Sequence, residues 1–343
     1  MLIECDSILW FGKYGGCFIA DEFTLGCDRY YDEYRKAVAD PEFIRVYEQL
    51  KKQFVDDSFR FVATEKGNLT LCFAPENVYS ILGTALLVKK LNKKKAVSGV
   101  RYADEAICCA RVCAELGVPL KLYLAHDIAG ISSLRTRLAS LGAEYDAEIC
   151  GELFNLPEMY AFQEWVASPD ELGIINCRSN VGAFPQVNIA TDFSKEYGEK
   201  FRESLEKECA DGYNRIVVPS ISGSLALAVW KAFEDSAVRL ISVECDPVDD
   251  LTEELDSYCG TFTKVMRNRF VDRVPAPEWM AVVEEGKAER VIVGFDQATK
   301  TADPRAIAET VSLQSLAALC HSESLKHEKV ICAVRGMRWG VEL

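Results

Sequence analysis

Along the chain, apolar residues spaced three and four apart alternate with short continuous apolar runs, and turn formers separate the two patterns. Residues 28–55, opening "DRYYDEYRKAVADPEF", read as helix broken at Asp40-Pro41, where the proline can open a second helix. "FRFVATE" reads as a strand. "FAPENVYSILGTALLVKKL", from Phe73, reads as a turn feeding a helix, with Ile81, Leu82, Ala85, Leu86 and Leu91 near one face. "KKKAVSG" predicts a short strand, "DEAICCARVCAELGV" a helix ended by Gly117, and "LKLYLA" a buried strand. "ISSLRTRLASLGAEY" predicts an amphipathic helix ended by Gly142, with a strand just beyond. The second half continues the alternation. "GIINC" is a strand, "DFSKEYGEKFRESLEKECA" a charged helix, "NRIVVPSISGSLALAVWKAFED" a strand, loop and helix, and "VRLISVEC" another strand. "DPRAIAETVSLQSLAALCHSESLK" is helical and "KVICAVRG" is a final strand, while residues 247–300 give no clear pattern. Such alternation predicts an α/β protein whose mainly parallel sheets are covered on both faces.

A length of 343 residues with 49% hydrophobic content supports a large core and two domains or one large unit. The net charge of −14 argues against nucleic acid or an acidic membrane surface as partner. No apolar run reaches transmembrane length, and the opening "MLIECDSILWFGKYGG" lacks the basic and apolar regions of a signal peptide, so a cytoplasmic protein is expected. The 14 cysteines are scattered rather than framed as disulfides. Cys109 and Cys113 share a helix face, but the chain holds only three histidines, so buried core thiols are the better reading and no metal is expected.

Several strings, in their order and spacing, resemble the β subunit of tryptophan synthase, a fold-type II pyridoxal-phosphate enzyme. They are "FGKYGGCFIADEF", "YDEYRKAVADPEF", "ILGTALLVKKLNKKK", "LYLAHDIAGISSLRTRLASLGAEY" and "VGAFPQVNIATDF". The resemblance covers residues 11 to about 245, with a weaker echo at 313–340. It implies two three-layer α/β/α domains: an N-terminal arm and helices over 1–50 packing on the C-terminal domain, an N-terminal domain over 51–185, and a C-terminal domain over 186–343. It also implies where the chemistry should sit, and there the chain departs from the family. The Schiff-base lysine position falls on Asn77, whose amide is neither nucleophile nor base. The family's glutamate-bearing loop corresponds to "SGVRYADEA", with Gly99 at the glutamate position and Arg101, Tyr102, Asp104 and Glu105 following. The glycine-rich phosphate loop becomes "SISGS", where Ser220, Ser222, Gly223 and Ser224 could still bind an anion at a helix start. The serine that meets the pyridine nitrogen appears as Arg335.

Each departure has a plainer reading. Asn77 can cap the helix starting at Val78, Arg101 and Asp104 can form a solvent-facing pair, Ser220 to Ser224 can be an ordinary turn, and Arg335 can lie on the surface. Of other lysines, Lys89 and Lys90 lie roughly 18 Å along the helix from Asn77, which leaves Lys66 as the only substitute. The first expectation is a degenerate relative linked to amino-acid metabolism, without pyridoxal-phosphate catalysis. It would serve as a partner subunit or bind a small anionic or amino-acid-like ligand in a pocket formed by Asn77, Ser80, Gly99, Arg101, Tyr102, Asp104, Glu105 and Arg335. The second is a cofactor-independent enzyme, of lyase type, acting on a carboxylate- or phosphate-bearing substrate. The third is a pyridoxal-phosphate lyase or β-replacement enzyme using another lysine. The resemblance further implies a homodimer with a heteromeric partner.

Overall fold

A computed structural model of the chain describes residues 21–65, 67–75, 77–100, 102–146, 156–175, 186–209, 212–220, 223–246, 277–294, 297–298 and 313–335. Two helices come first, α1 (Asp21–Val38) and α2 (Pro41–Phe54). The break between them is where the sequence puts it. Asp40 caps α2 by accepting from the Glu42 amide, and Pro41 stands at a first-turn position where no amide is missed.

The strands form two sheets. The smaller has four parallel strands in the order β5 (Glu144–Asp146), β4 (Leu120–Leu124), β3 (Lys95–Val100), β6 (Leu172–Ile174). Around it lie α3 (Tyr79–Lys90), α4 (Ala103–Leu116), α5 (His126–Ala129), α6 (Ser132–Ser140) and α7 (Leu156–Ala167). Gly117 ends α4 in the left-handed conformation, with φ 66°. The larger sheet has six strands. Its order is β1 (Arg60–Ala63), β2 (Leu69–Ala74), β10 (Val330–Arg335), β7 (Arg215–Pro219), β8 (Arg239–Asp246), β9 (Ala288–Gly294), and only the β1–β2 pair is antiparallel. The remaining helices are α8 (Gln186–Glu208), α9 (Ser224–Phe233), α10 (Pro277–Glu284) and α11 (Leu313–Ser324).

Alternation along the larger sheet's strands divides its core into two layers. Cys72, Ile216, Val218, Leu240 and Ile331 enter a cluster with Phe201, Trp230 and Trp279 on one face. Leu69, Leu71, Phe73, Val217, Ile241, Val330 and Cys332 enter another with Leu319 of α11. This is a mixed α/β protein with parallel sheets, in keeping with the fold-type II arrangement.

Sheet membership crosses the linear division expected from the sequence, because β1 and β2 join the strands of the C-terminal half. The first two helices pack on both halves. Cys27, Tyr30, Tyr34, Phe43 and Leu50 enter the core of the four-stranded side and meet the C-terminal half through α8, where Phe43 and Tyr34 touch Phe193. Cys109 and Cys113 are buried in that same core. Among the described residues, no helix is long and apolar enough to cross a membrane, and no group of three or more His, Cys, Asp or Glu is placed to hold a metal ion.

Candidate functional site

The carboxyl ends of β2, β10 and β7 lie side by side, with Arg335 opposite Ala74 in the ladder. Open α/β sheets place ligands at such strand ends. Beyond β2 the chain turns through Pro75 and Asn77 onto α8, where the Tyr197 hydroxyl donates to the Pro75 carbonyl at 3.2 Å. Asn77 Nδ2 donates to Ser194 Oγ at 2.9 Å, and Asn77 Oδ1 is buried with no hydrogen-bond partner. The capping role offered by the sequence does not hold. Val78 occupies the cap of α3, with no side-chain cap bond, and the Asn77 carboxamide faces α8 instead. Ser80 is buried inside α3, its carbonyl accepting from Thr84 Oγ1 at 2.6 Å. Gly83, one turn on, seats the Phe193 ring, whose atoms lie 2.4 Å from where a β-carbon would stand.

The loop after β3 is built by packing. A β-carbon on Gly99 would lie 2.2 Å from the Pro157–Glu158 backbone, so the start of α7 rests directly on this strand. Tyr102 is at the extended cap position of α4 and is half-buried. Asp104 Oδ1 accepts from the Glu105 amide at 3.0 Å, and Glu105 is itself buried. Arg101, Lys66 and Ser222 lie outside the described residues, as do the side chains of Arg335 and Ser224.

In the expected anion loop, Ser220 is buried and its hydroxyl accepts from the Gly223 amide at 3.0 Å, so the Gly223 N–H is turned inward. Gly223 has φ +80°, and a β-carbon there would stand 2.7–2.9 Å from the Trp279 side chain. Trp279 is fully buried, and its Nε1 donates to Ser242 Oγ at 3.1 Å. The residue before it, Glu278, is only 6% exposed and accepts from Asn188 Nδ2. Burial raises its carboxyl from 4.5 to about 7, against the opposing bonds from its own helix start and from Asn188. Asn188 Oδ1 is likewise buried without a partner.

Glu278, Trp279 and Asn188 are absent from the sequence-derived site. Asn188 sits in "FPQVNIATDF", which the sequence marks only as the approach to a helix, and the other two lie within the stretch 247–300 that has no clear pattern. Helix α8 joins the two groups, since Asn77 meets Ser194 and Glu278 meets Asn188.

No protein-family model matches the chain. Curated relatives do. The chain is 27% identical over 255 residues to the tryptophan synthase beta chain of Streptomyces coelicolor, a match covering 69% of this chain and 59% of that one. It is 24% identical over 253 residues to the tryptophan synthase beta chain of Pseudomonas syringae pv. tomato, covering 68% and 61%, and 25% identical over 273 residues to that of Ruegeria sp., covering 73% and 64%. The matched part therefore spans about three fifths of these relatives. With the fold and the retained strings, these matches make the chain a distant relative of the tryptophan synthase β chains.

Proposed function

We propose that this chain is a degenerate tryptophan synthase β-like protein that has lost pyridoxal-phosphate catalysis and works as a small-ligand-binding protein or partner subunit. The observation that carries the reading is Asn77. It stands where the resemblance puts the Schiff-base lysine, and its carboxamide is bound to Ser194 and offers no amine. The residues around it do not fit the cofactor. Lysines on α2 and α8 are held by carboxylates, Lys51 by Glu48 and Glu196, and Lys195 by Asp192. The expected phosphate loop carries Trp279 against Gly223, and the Gly223 amide donates to the Ser220 hydroxyl within the loop itself. The enzyme alternative drew on Arg101, Tyr102, Asp104, Glu105 and Arg335, of which Arg101 and the Arg335 side chain lie outside the described residues.

The test is chemical. Purified protein is incubated with excess pyridoxal phosphate, reduced with borohydride, weighed intact and mapped by peptide. We expect no stoichiometric adduct. A single adduct at one lysine per chain, Lys66 above all, would overturn the reading and favour a relocated Schiff base.

A further inference from the structure

Glu278 is the second residue of α10 and Asn188 the third of α8, and their side chains meet where the two helices start. Asn188 Nδ2 donates to Glu278 Oε1, while Asn188 Oδ1 is buried and has no hydrogen-bond partner. That orphan bears on the state of the carboxyl beside it. An ionised carboxylate only accepts, so it satisfies the amide nitrogen and leaves the amide oxygen unmatched. A protonated carboxyl carries one O–H donor, which is the group Asn188 lacks. The terminal torsions of Glu and Asn side chains are broad, so the two planes can turn into register, Oε2–H donating to Oδ1 beside the bond already made.

The surroundings favour that proton. Glu278 is 6% exposed, and burial lifts its carboxyl to about 7. On α8, Asp192 pushes the same way and is itself committed to Tyr34 and Lys195. On α9 and β9, which pack against α10, the charged groups are paired elsewhere. Lys231 holds Glu234, Arg290 holds Glu244 and Glu289 holds Arg239, while Lys287 just beyond α10 holds Glu285. The next residue along α10 is Trp279, seated against Gly223 and donating to Ser242 Oγ.

We propose that Glu278 and Asn188 form a proton-operated latch between α10 and α8, in which the protonated carboxyl and the carboxamide exchange two hydrogen bonds. When the proton leaves for solvent, the O–H···O bond is lost and two acceptors face each other. The start of α10 then loosens, and with it the seat of Trp279 on the Gly223 loop. This goes beyond the ligand-binding reading and does not depend on it.

The experiment follows amide hydrogen exchange of the whole chain at pH 6 and pH 8.5, corrected for the intrinsic rate at each pH, in peptides covering α10 and the Gly223 loop. A carboxyl that titrates near 7 when latched and near 4.5 when released makes opening about tenfold more frequent at pH 8.5 than at pH 6. We expect protection in these peptides to fall by that factor, with peptides of α4 unchanged. Glu278→Gln presents the same donor and acceptor at every pH, so it should keep the pH 6 protection at pH 8.5. Asn188→Ala should lose more protection at pH 6 than at pH 8.5, because the double bond it breaks exists only with the proton in place. Protection independent of pH in the unaltered chain, or a fall shared equally by α4, overturns the latch. So does a fall that persists in Glu278→Gln, which assigns the titration to another group. A larger loss at pH 8.5 than at pH 6 in Asn188→Ala overturns it as well, since Asn188 would then serve only as a donor to the carboxylate.

Discussion

A carboxyl buried at the start of α10, as Glu278 is, ionises only by giving up the water that would solvate it. Its ordinary value of 4.5 rises to about 7 in the fold. Between these values the folded chain holds a proton that the unfolded chain releases, so stability falls with increasing pH. The contribution is complete below about pH 4.5 and is lost as the pH climbs through 7. At 1.36 kcal/mol per unit it amounts to roughly 3 kcal/mol. Urea unfolding at pH 5 and pH 8 should therefore show a smaller drop in Glu278→Gln than in the unaltered protein, and an equal drop in both would refute this. Gly223 is the second sensitive residue. Its φ of +80° disfavours any side chain, and the Trp279 ring occupies the space a β-carbon needs. Gly223→Ala should cost about 2 kcal/mol or more, read as a lowered melting temperature. A glycine in "SISGS" is visible in the sequence as a special position. The tryptophan above it is not, because it lies within the unpatterned stretch 247–300. Asn188 and Glu278 escape notice for a related reason: a polar residue near a helix start looks solvent-facing until a neighbouring element covers it.

Among the elements, α8 reaches both halves of the molecule. Its first turns place Ile189 and Phe193 in the core of the four-stranded side, and its later turns place Phe201 and Leu205 in a layer of the six-stranded sheet. A β-carbon on Gly198 would come within 2.4 Å of the Ala228 carbonyl, so α9 lies directly along it. Phe201→Ala should cost about 3–5 kcal/mol. Because one helix serves both cores, tryptophan fluorescence and helical circular dichroism should still lose signal in one coincident urea transition. Two separated transitions in that variant would show that the halves unfold independently. Most helices and strands were legible from periodicity and caps, with Asp40-Pro41 and Gly117 the clearest marks. Strand β2 was not, because "LTLCFA" runs straight into the Pro75 turn and reads as its approach. Sheet order was not legible either, since pairing between distant strands leaves no trace in local alternation.

At the scale of the whole molecule, assembly can be argued from its apolar surface. Leu25 on α1 is 80% exposed and Ile44 on α2 is 47% exposed. They follow an aromatic segment containing Trp10, Phe11, Tyr14, Phe18 and Phe23, for which burial is favourable. We expect a homodimer with a light-scattering mass twice the 38.3 kDa of one chain, and a concentration-independent single-chain mass would refute it. The sheet order also carries a consequence for biosynthesis. Strands β3 to β6 are contiguous in sequence, so the four-stranded unit can assemble while translation is still under way. The larger sheet cannot. Strand β10 lies between β2 and β7, and Asn68 at the head of β2 binds the Glu328 carbonyl, 260 residues further along. Until β10 leaves the ribosome, one edge of the antiparallel β1–β2 hairpin and one edge of β7 stay unpaired, templates for association with other nascent chains. Between the emergence of β2 and that of β10 the nascent protein thus carries unpaired strand edges, and a ribosome-associated chaperone that shields such edges would matter more to its yield than to its final stability.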